Sequence, residues 1–294
     1  MTQDLKTTTL GRTGLQVTRL GYGCASIKDV SEDVAETMLN LALDAGMNFI
    51  DTAVDYGRSE EFIGKFVSHR RSEFYLASKC GCPVPEEPER AHEYTRDNIV
   101  AGVEQSLARM GTEYLDLVQL HSSLTEKMLL EHGVIETLQD LRSQGKVRFI
   151  GSSSTLPNIV EHLDMGVFDE FQIPYSALRR EHEEVIARCA AAGAGTVIRG
   201  GVSQGAPGDG KGIEATWDAF TKANLDELCE EGESRSAFVL RFTLAHPDIH
   251  TVIVGTTSPA HLQENVATAQ RGPLPQDTYA EAKRRLDVRT TWNR

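Results

Sequence analysis

The chain has 294 residues, 40% of them hydrophobic and 25% charged, and a formal net charge of -13, which is typical of an ordinary globular protein. The acidic excess repels phosphate backbones and no apolar run reaches 18 residues, so neither nucleic acid nor a membrane is expected as a partner. Its five cysteines fit neither a disulfide framework nor a zinc pattern and predict reduced thiols in a cytoplasmic protein.

The predicted elements begin with a β-hairpin over residues 7–18, which would plug the bottom of a barrel. Eight short apolar runs follow, separated by amphipathic stretches with helical spacing. The runs cover residues 20–25, 48–52, 74–79, 115–121, 148–153, 170–174, 195–199 and 251–255. Such continuous hydrophobicity is typical of parallel strands buried on both faces. The pattern predicts an α/β fold, a single (β/α)8 TIM barrel over residues 1–294 with a short C-terminal tail.

An open doubly wound sheet is the alternative architecture. Its dinucleotide motif would need G-x-G-x-x-G, but residues 21–26 have serine at the third glycine and no helical pattern begins there. A glycine-rich segment, residues 200–212, instead follows the seventh strand. We interpret it as a backbone cradle over a ligand in preference to a flexible linker. Trp292 is placed either over the pocket or in a frayed tail.

Polar residues stand at the carboxyl ends of three consecutive strands. Asp51 ends the second run, Tyr56 follows it by five residues, and Lys79 and His121 end the third and fourth runs. Strand ends of a parallel barrel converge on one rim, so these four side chains are expected to meet. Asp51 would keep Lys79 charged, the ammonium would lower the pKa of Tyr56, and His121 would hold a carbonyl oxygen near the phenol. Reducing that carbonyl needs a hydride, which implies a nicotinamide cofactor.

Four motifs give the chain a resemblance to the aldo-keto reductase family over residues 10–269. They are the segment 10–23, the segment 45–60, Ser106-Leu107 with 114–117 and His121, and Gly145-Lys146-Val147-Arg148 with 150–153. The resemblance implies an NAD(P)H-dependent oxidoreductase built on a (β/α)8 barrel without a Rossmann motif. It also implies a catalytic tetrad of Asp51, Tyr56, Lys79 and His121, with Tyr56 as the proton donor.

The resemblance further implies a set of cofactor contacts. Near the nicotinamide it places Gly23, Cys24, Ser153, Ser154 and Gln172, with Arg199 where many members have a stacking tyrosine, followed by Gly200 and Gly201. At the adenosine end it places Gly255, Thr256, Thr257, His261, Glu264 and Asn265. Some members have lysine and arginine where Gly255 and His261 stand, so a 2′-phosphate would rest on hydroxyls, His261 and a helix N-terminus. NADPH is therefore expected from the habit of the family, and NADH stays open.

Two functions from different classes follow. The first is reduction of a small-molecule aldehyde or ketone to an alcohol, and the second is a nucleotide-binding, redox-sensing regulatory module with slow turnover. A metal-dependent barrel enzyme would need clustered histidines and acids, and we find no such set, so no metal is predicted. His69, His92 and His182 lie on polar stretches and are expected to be solvated. The sequence specifies neither the substrate nor the oligomeric state.

Overall fold

A computed structural model of the chain describes residues 4–84 and 91–290, so Trp292 lies outside the described residues. The predicted N-terminal hairpin is confirmed: β1 (Thr7–Thr9) pairs antiparallel with β2 (Gln16–Thr18). Its turn enters the barrel floor, where Leu10, Leu15 and Val17 form a small buried cluster with inward residues of the strands. The backbone N–H of Arg12 donates to the carbonyl of Gly193 at 2.7 Å, which fixes the hairpin to the other side of the floor.

Within the described residues, eight parallel strands form a closed barrel. The strands are β3 (Leu20–Gly23), β4 (Phe49–Asp51), β5 (Tyr75–Cys80), β6 (Leu115–Leu120), β7 (Val147–Ser153), β8 (Glu170–Pro174), β9 (Gly195–Arg199) and β10 (Thr251–Val254). They pair in the order β10-β3-β4-β5-β6-β7-β8-β9. Each predicted apolar run coincides with one strand, and the barrel prediction is confirmed. Strands β3, β4, β6 and β8 are buried along their whole length, because side chains alternate between the barrel interior and the helical layer.

Helices surround the strands and cover their outer faces. They are α1 (Glu32–Asp44), α2 (Ser59–Val67), α3 (Arg96–Met110), α4 (Glu126–Glu131), α5 (Val134–Ser143), α6 (Asn158–Met165), α7 (Glu183–Ala191), α8 (Glu214–Lys222), α9 (Arg235–Ala245), α10 (Pro259–Arg271) and α11 (Gln276–Thr290). In α1 the buried residues Ala35, Met38, Leu39 and Ala42 recur at helical spacing. No helix in the described part of the chain combines the length and the apolar character needed to cross a bilayer.

Candidate active site

A buried ion pair joins the ends of β4 and β5. Asp51 is the last residue of β4, and Lys79 lies near the end of β5, with 2% and 1% of their surfaces exposed. The Lys79 Nζ donates to Asp51 Oδ1 and to the carbonyl of Thr52, both at 2.8 Å. Burial alone would lower the pKa of the Lys79 ammonium, but the Asp51 carboxylate and the Tyr56 hydroxyl outweigh it and raise that pKa. Lys79 is therefore charged at neutral pH, as the sequence predicted.

Tyr56 lies above this pair on the loop between β4 and α2. The Lys79 Nζ is 4.9 Å from the centre of the Tyr56 ring. The Tyr56 hydroxyl is 3.5 Å from Nε2 of His121, and the two rings meet edge-on with centres 5.5 Å apart. The structure thus brings all four residues of the expected tetrad together on the rim.

The pKa of Tyr56 is set by opposing contributions. Burial and the Asp51 and Asp55 carboxylates raise the pKa of the phenol, whereas the Lys79 ammonium lowers it, as expected, with a net rise. Burial outweighs the ammonium because the half-buried phenol loses the hydration that would stabilise its anion. Tyr56 consequently keeps its proton at neutral pH, which is the state a general acid needs.

His121 immediately follows β6, and its two ring nitrogens face different groups. Nε2 faces Tyr56, whereas Nδ1 lies 3.1 Å from Cys82 Sγ and 3.3 Å from Asp55 Oδ1. Burial lowers the pKa of the imidazole more than Asp55 raises it. The ring is therefore neutral at neutral pH and carries one N–H.

A row of amides supports the ion pair from inside the barrel. Gln172 Nε2 donates to Asp51 Oδ2 at 2.7 Å and to Gln119 Oε1 at 3.2 Å, and Gln119 Nε2 in turn donates to Glu170 Oε2 at 3.1 Å. Burial raises the pKa of the Glu170 carboxyl well above its ordinary value. A Cβ on Gly151 would lie 2.2 Å from Glu170 Oε2, so the glycine of the predicted Gly151-Ser152-Ser153 motif makes room for this carboxyl.

The rim opens into a cleft of about 630 Å³, within the range of roughly 300–1,000 Å³ typical of ligand and cofactor sites. Asp51 and Tyr56 lie at its inner end. From there the predicted contact residues Gly23, Gln172, Arg199, Gly200, Gly255, Thr256, Thr257, His261, Glu264 and Asn265 line it outward. The glycine-rich segment also lines the cleft, and His261 Nε2 lies 3.3 Å from Asp209 Oδ1 of that segment.

The donors around the cleft suit a nicotinamide dinucleotide. At the outer end, α10 begins with a Ser258 cap whose Oγ accepts from the backbone N–H of His261. Its N-terminus and the neighbouring hydroxyls favour phosphate groups. At the inner end, Gln172 lines the cleft, and Ser153, which does not line it, donates from Oγ to Gln172 Oε1 at 3.2 Å. Among the described residues nothing accepts from the buried Nε of Arg199.

Other predicted contacts do not line the cleft. Cys24 is fully buried, and the Ser154 hydroxyl is buried against Ser152 and Nδ1 of His162. A Cβ on Gly201 would lie 2.4 Å from a side-chain carbon of Val252, so this glycine lets the segment after β9 pack closely against β10. A role for Cys24, Ser154 and Gly201 in cofactor binding remains a prediction.

Sequence reasoning missed two features. Lys211 and Ser236 line the outer cleft. In the sequence, Lys211 stands out only as a member of the glycine-rich segment. Asp55, Cys82 and His92 also surround Nδ1 of His121, with their ligand atoms and that nitrogen all within 4.8 Å of one another. The expectation of solvated histidines is wrong for His182, which is 3% exposed and accepts at Nε2 from the backbone N–H of Leu156.

Comparison with known proteins finds relatives over nearly the whole chain. The model of the aldo/keto reductase family matches residues 19–286. The holo form of aldo-keto reductase AKR11C1 from Bacillus halodurans is 28% identical, with a TM-score of 0.85 over 96% of this chain and 96% of that chain. L-galactose dehydrogenase of Arabidopsis thaliana is 26% identical over 95% of this chain and 93% of that protein. NADH-specific methylglyoxal reductase of Escherichia coli is 25% identical over 88% of this chain and 90% of that protein.

Proposed function

The chain belongs to the aldo/keto reductase family of oxidoreductases, and we propose that it reduces the carbonyl group of a small molecule to an alcohol with a nicotinamide cofactor. One observation carries this proposal. The Tyr56 hydroxyl and Nε2 of His121, 3.5 Å apart, stand over the buried pair of Asp51 and Lys79 at the inner end of the cleft. A carbonyl oxygen held by both groups would receive a proton there.

The proton is supplied by Tyr56. Its raised pKa keeps the proton on the phenol until negative charge develops on the carbonyl oxygen. The Lys79 ammonium then stabilises the phenolate that forms, since an adjacent positive charge favours the anion. Asp51 holds Lys79 in its charged form, and His121 orients the substrate oxygen through Nε2.

The dinucleotide would lie along the cleft and supply the hydride to the carbonyl carbon. Gln172, backed by Ser153, would face the carboxamide, and Arg199 would take the place of the aromatic residue that many family members have at the nicotinamide. Thr256, Thr257 and the N-terminus of α10 would hold the phosphates at the outer end. NADPH is our first choice because Lys211 joins His261 there, although Asp209 next to His261 would suit an unphosphorylated ribose.

The names of two relatives guide the choice of substrates to test. L-galactose dehydrogenase and methylglyoxal reductase act, by their names, on a sugar and on a small dicarbonyl. They motivate a panel of aldoses and 2-oxoaldehydes, each tested with NADPH and with NADH.

The test compares Tyr56→Phe with wild type in steady-state turnover. Loss of the phenolic proton should lower kcat by about 10²–10⁴-fold, the usual contribution of general acid catalysis. Nucleotide affinity by fluorescence titration should stay within about twofold, because the hydroxyl faces His121 at the inner end of the cleft. Tyr75→Phe is the matched control and should keep wild-type turnover, because Tyr75 begins β5 whereas Lys79 of the site lies near the other end of that strand.

Wild-type kcat in Tyr56→Phe would refute the assignment of the proton donor. A single burst of oxidation followed by slow nucleotide release, with every carbonyl tried, would instead indicate the regulatory module considered from the sequence.

A further inference from the structure

Nδ1 of His121 and side chains from three other segments form a cluster of four possible metal ligands. Asp55 comes from the loop after β4, Cys82 follows β5, His92 precedes α3, and His121 follows β6. No pair of them has the sequence spacing of a known metal motif, so only the fold brings them together. We propose that these four side chains form a site for a divalent transition metal of the zinc class.

The spacing of the ligand atoms supports a tetrahedral ion. His121 Nδ1 lies 3.1 Å from Cys82 Sγ and 3.3 Å from Asp55 Oδ1, and His92 Nε2 lies 3.3 Å from Asp55 Oδ2. Bonds of about 2.0–2.3 Å to nitrogen, oxygen and sulfur around zinc place neighbouring ligand atoms roughly 3.3–3.7 Å apart. These three contacts are close to that range, although His121 and His92 face different oxygens of Asp55, and all four ligand atoms lie within 4.8 Å of one another.

The chemistry of the set also favours zinc. One thiolate, two imidazoles and one carboxylate are a mixture that suits a borderline-soft ion better than magnesium or calcium. The two anionic ligands would neutralise the charge of a divalent cation. Cys82 is 1% exposed and lies at the base, whereas the Asp55 and His92 side chains are 34% and 28% exposed and leave an entry path.

The backbone around the cluster is held in place before any ion binds. The N–H of Glu93 donates to the carbonyl of Gly81 at 2.7 Å, which ties the segment carrying His92 to the end of β5. Asn98 Nδ2 donates to the carbonyls of Cys82 and Glu93 at 2.9 and 2.7 Å. The N–H of His121 donates to the carbonyl of Cys80 at 3.1 Å. Asn98 is thus a positioning residue for two of the four ligands.

A metal bound to Nδ1 of His121 would affect the other ring nitrogen, Nε2. It would leave Nε2 as the only nitrogen that carries a proton and would point that N–H at Tyr56. The ion would therefore set the tautomer and the orientation of His121 without occupying the cleft. This consequence depends on the proposed reduction, whereas metal binding itself does not.

The test uses the full chain without nucleotide or carbonyl, with Zn²⁺ and Co²⁺ as probes. One equivalent of zinc should remain after dialysis against a weak chelator. X-ray absorption of that zinc should show one sulfur and three nitrogen or oxygen ligands, and bound Co²⁺ should show a thiolate charge-transfer band. Because these measurements use the unaltered protein, they do not depend on the folding of any variant.

Substitutions then assign the ligands. Cys82→Ser and His92→Asn should each weaken zinc binding by a hundredfold or more, since altering even the groups that support metal ligands costs about 10–100-fold. Cys229→Ser and His69→Asn, a half-buried thiol and an exposed imidazole elsewhere, should bind like wild type. Absence of stoichiometric zinc, a zinc spectrum without sulfur, or unchanged binding in Cys82→Ser and His92→Asn would overturn the proposal. Failure of carbonyl reduction would leave each of these results intact.

Discussion

The ion pair between Asp51 and Lys79 should be strongly coupled in stability, because both side chains are almost completely buried. Removing one partner leaves a charge without its counterion in a medium of low dielectric constant, which typically costs about 3–5 kcal/mol. Asp51→Asn leaves the ammonium with the carbonyl of Thr52, and Lys79→Met leaves the carboxylate with Nε2 of Gln172. Each single substitution should therefore lower the free energy of unfolding by about 3–5 kcal/mol.

The double variant should be far more stable than the sum of the single effects predicts. With both charges gone, no uncompensated charge is buried, and Gln172 can still donate to the amide oxygen that Asp51→Asn introduces. We expect the double variant to lose less than either single variant, which gives a coupling energy of roughly 3 kcal/mol or more. Equilibrium unfolding in urea, followed by far-ultraviolet circular dichroism, measures all four proteins.

An exposed pair supplies the matched control. Glu32 and Lys65 are 41% and 54% exposed, so the cycle Glu32→Gln with Lys65→Met should give a coupling of about 1 kcal/mol or less. Additive losses at Asp51 and Lys79, with a double variant as unstable as the sum, would refute the reasoning. They would mean that water reaches the pair and screens it.

Three further predictions concern other parts of the fold. Because the pKa of Glu170 is raised in the folded protein, the native state binds more protons than the unfolded state above about pH 4.3. The free energy of unfolding should therefore fall by up to about 1.4 kcal/mol per pH unit as the pH rises toward the folded-state pKa. Urea titrations at several pH values should show this slope in wild type and not in Glu170→Gln. Parallel curves for the two proteins would contradict that assignment. Gly11→Ala should lower the free energy of unfolding by clearly more than the roughly 1–2 kcal/mol that a left-handed residue costs, because the added Cβ would lie 2.3 Å from the backbone nitrogen of Gly195. Gly14 is also left-handed, but no described atom lies within 4 Å of a Cβ added there, so Gly14→Ala is the control. Equal melting temperatures for the two variants would count against this packing. Lys211→Gln should weaken NADPH binding by roughly two- to fivefold and leave NADH binding unchanged, because an exposed charge pair contributes about 0.2–1 kcal/mol. An equal effect on both nucleotides in fluorescence titrations would place Lys211 away from the 2′-phosphate.

The barrel and the tetrad could be predicted because their signals are local. Each strand reads as a continuous apolar run, and Asp51, Lys79 and His121 stand at strand ends whose convergence follows from the fold class. The same reasoning located the cleft, because parallel strands place their carboxyl ends on one rim.

Features that depend on the packing of loops could not be predicted in this way. The net pKa direction of Tyr56 depends on how far its loop buries the ring, which no local pattern encodes. His182 lies in a run of charged residues, yet its ring is buried and accepts from the backbone of Leu156. The residues around Nδ1 of His121 come from three other segments, so their spacing along the chain carries no signal.

The pairing of β10 with β3 has a consequence for synthesis of the protein. Residues 252–254 lie beside residues 20–22, so the first strand of the described barrel gains this neighbour only after the last strand has been translated. Until then β3 and β9 each expose an unpaired edge, which is a template for association with other chains. Contacts so distant in sequence also form slowly. We therefore expect closure of the barrel to be a late step in the folding of the nascent chain, after the last barrel strand has been made.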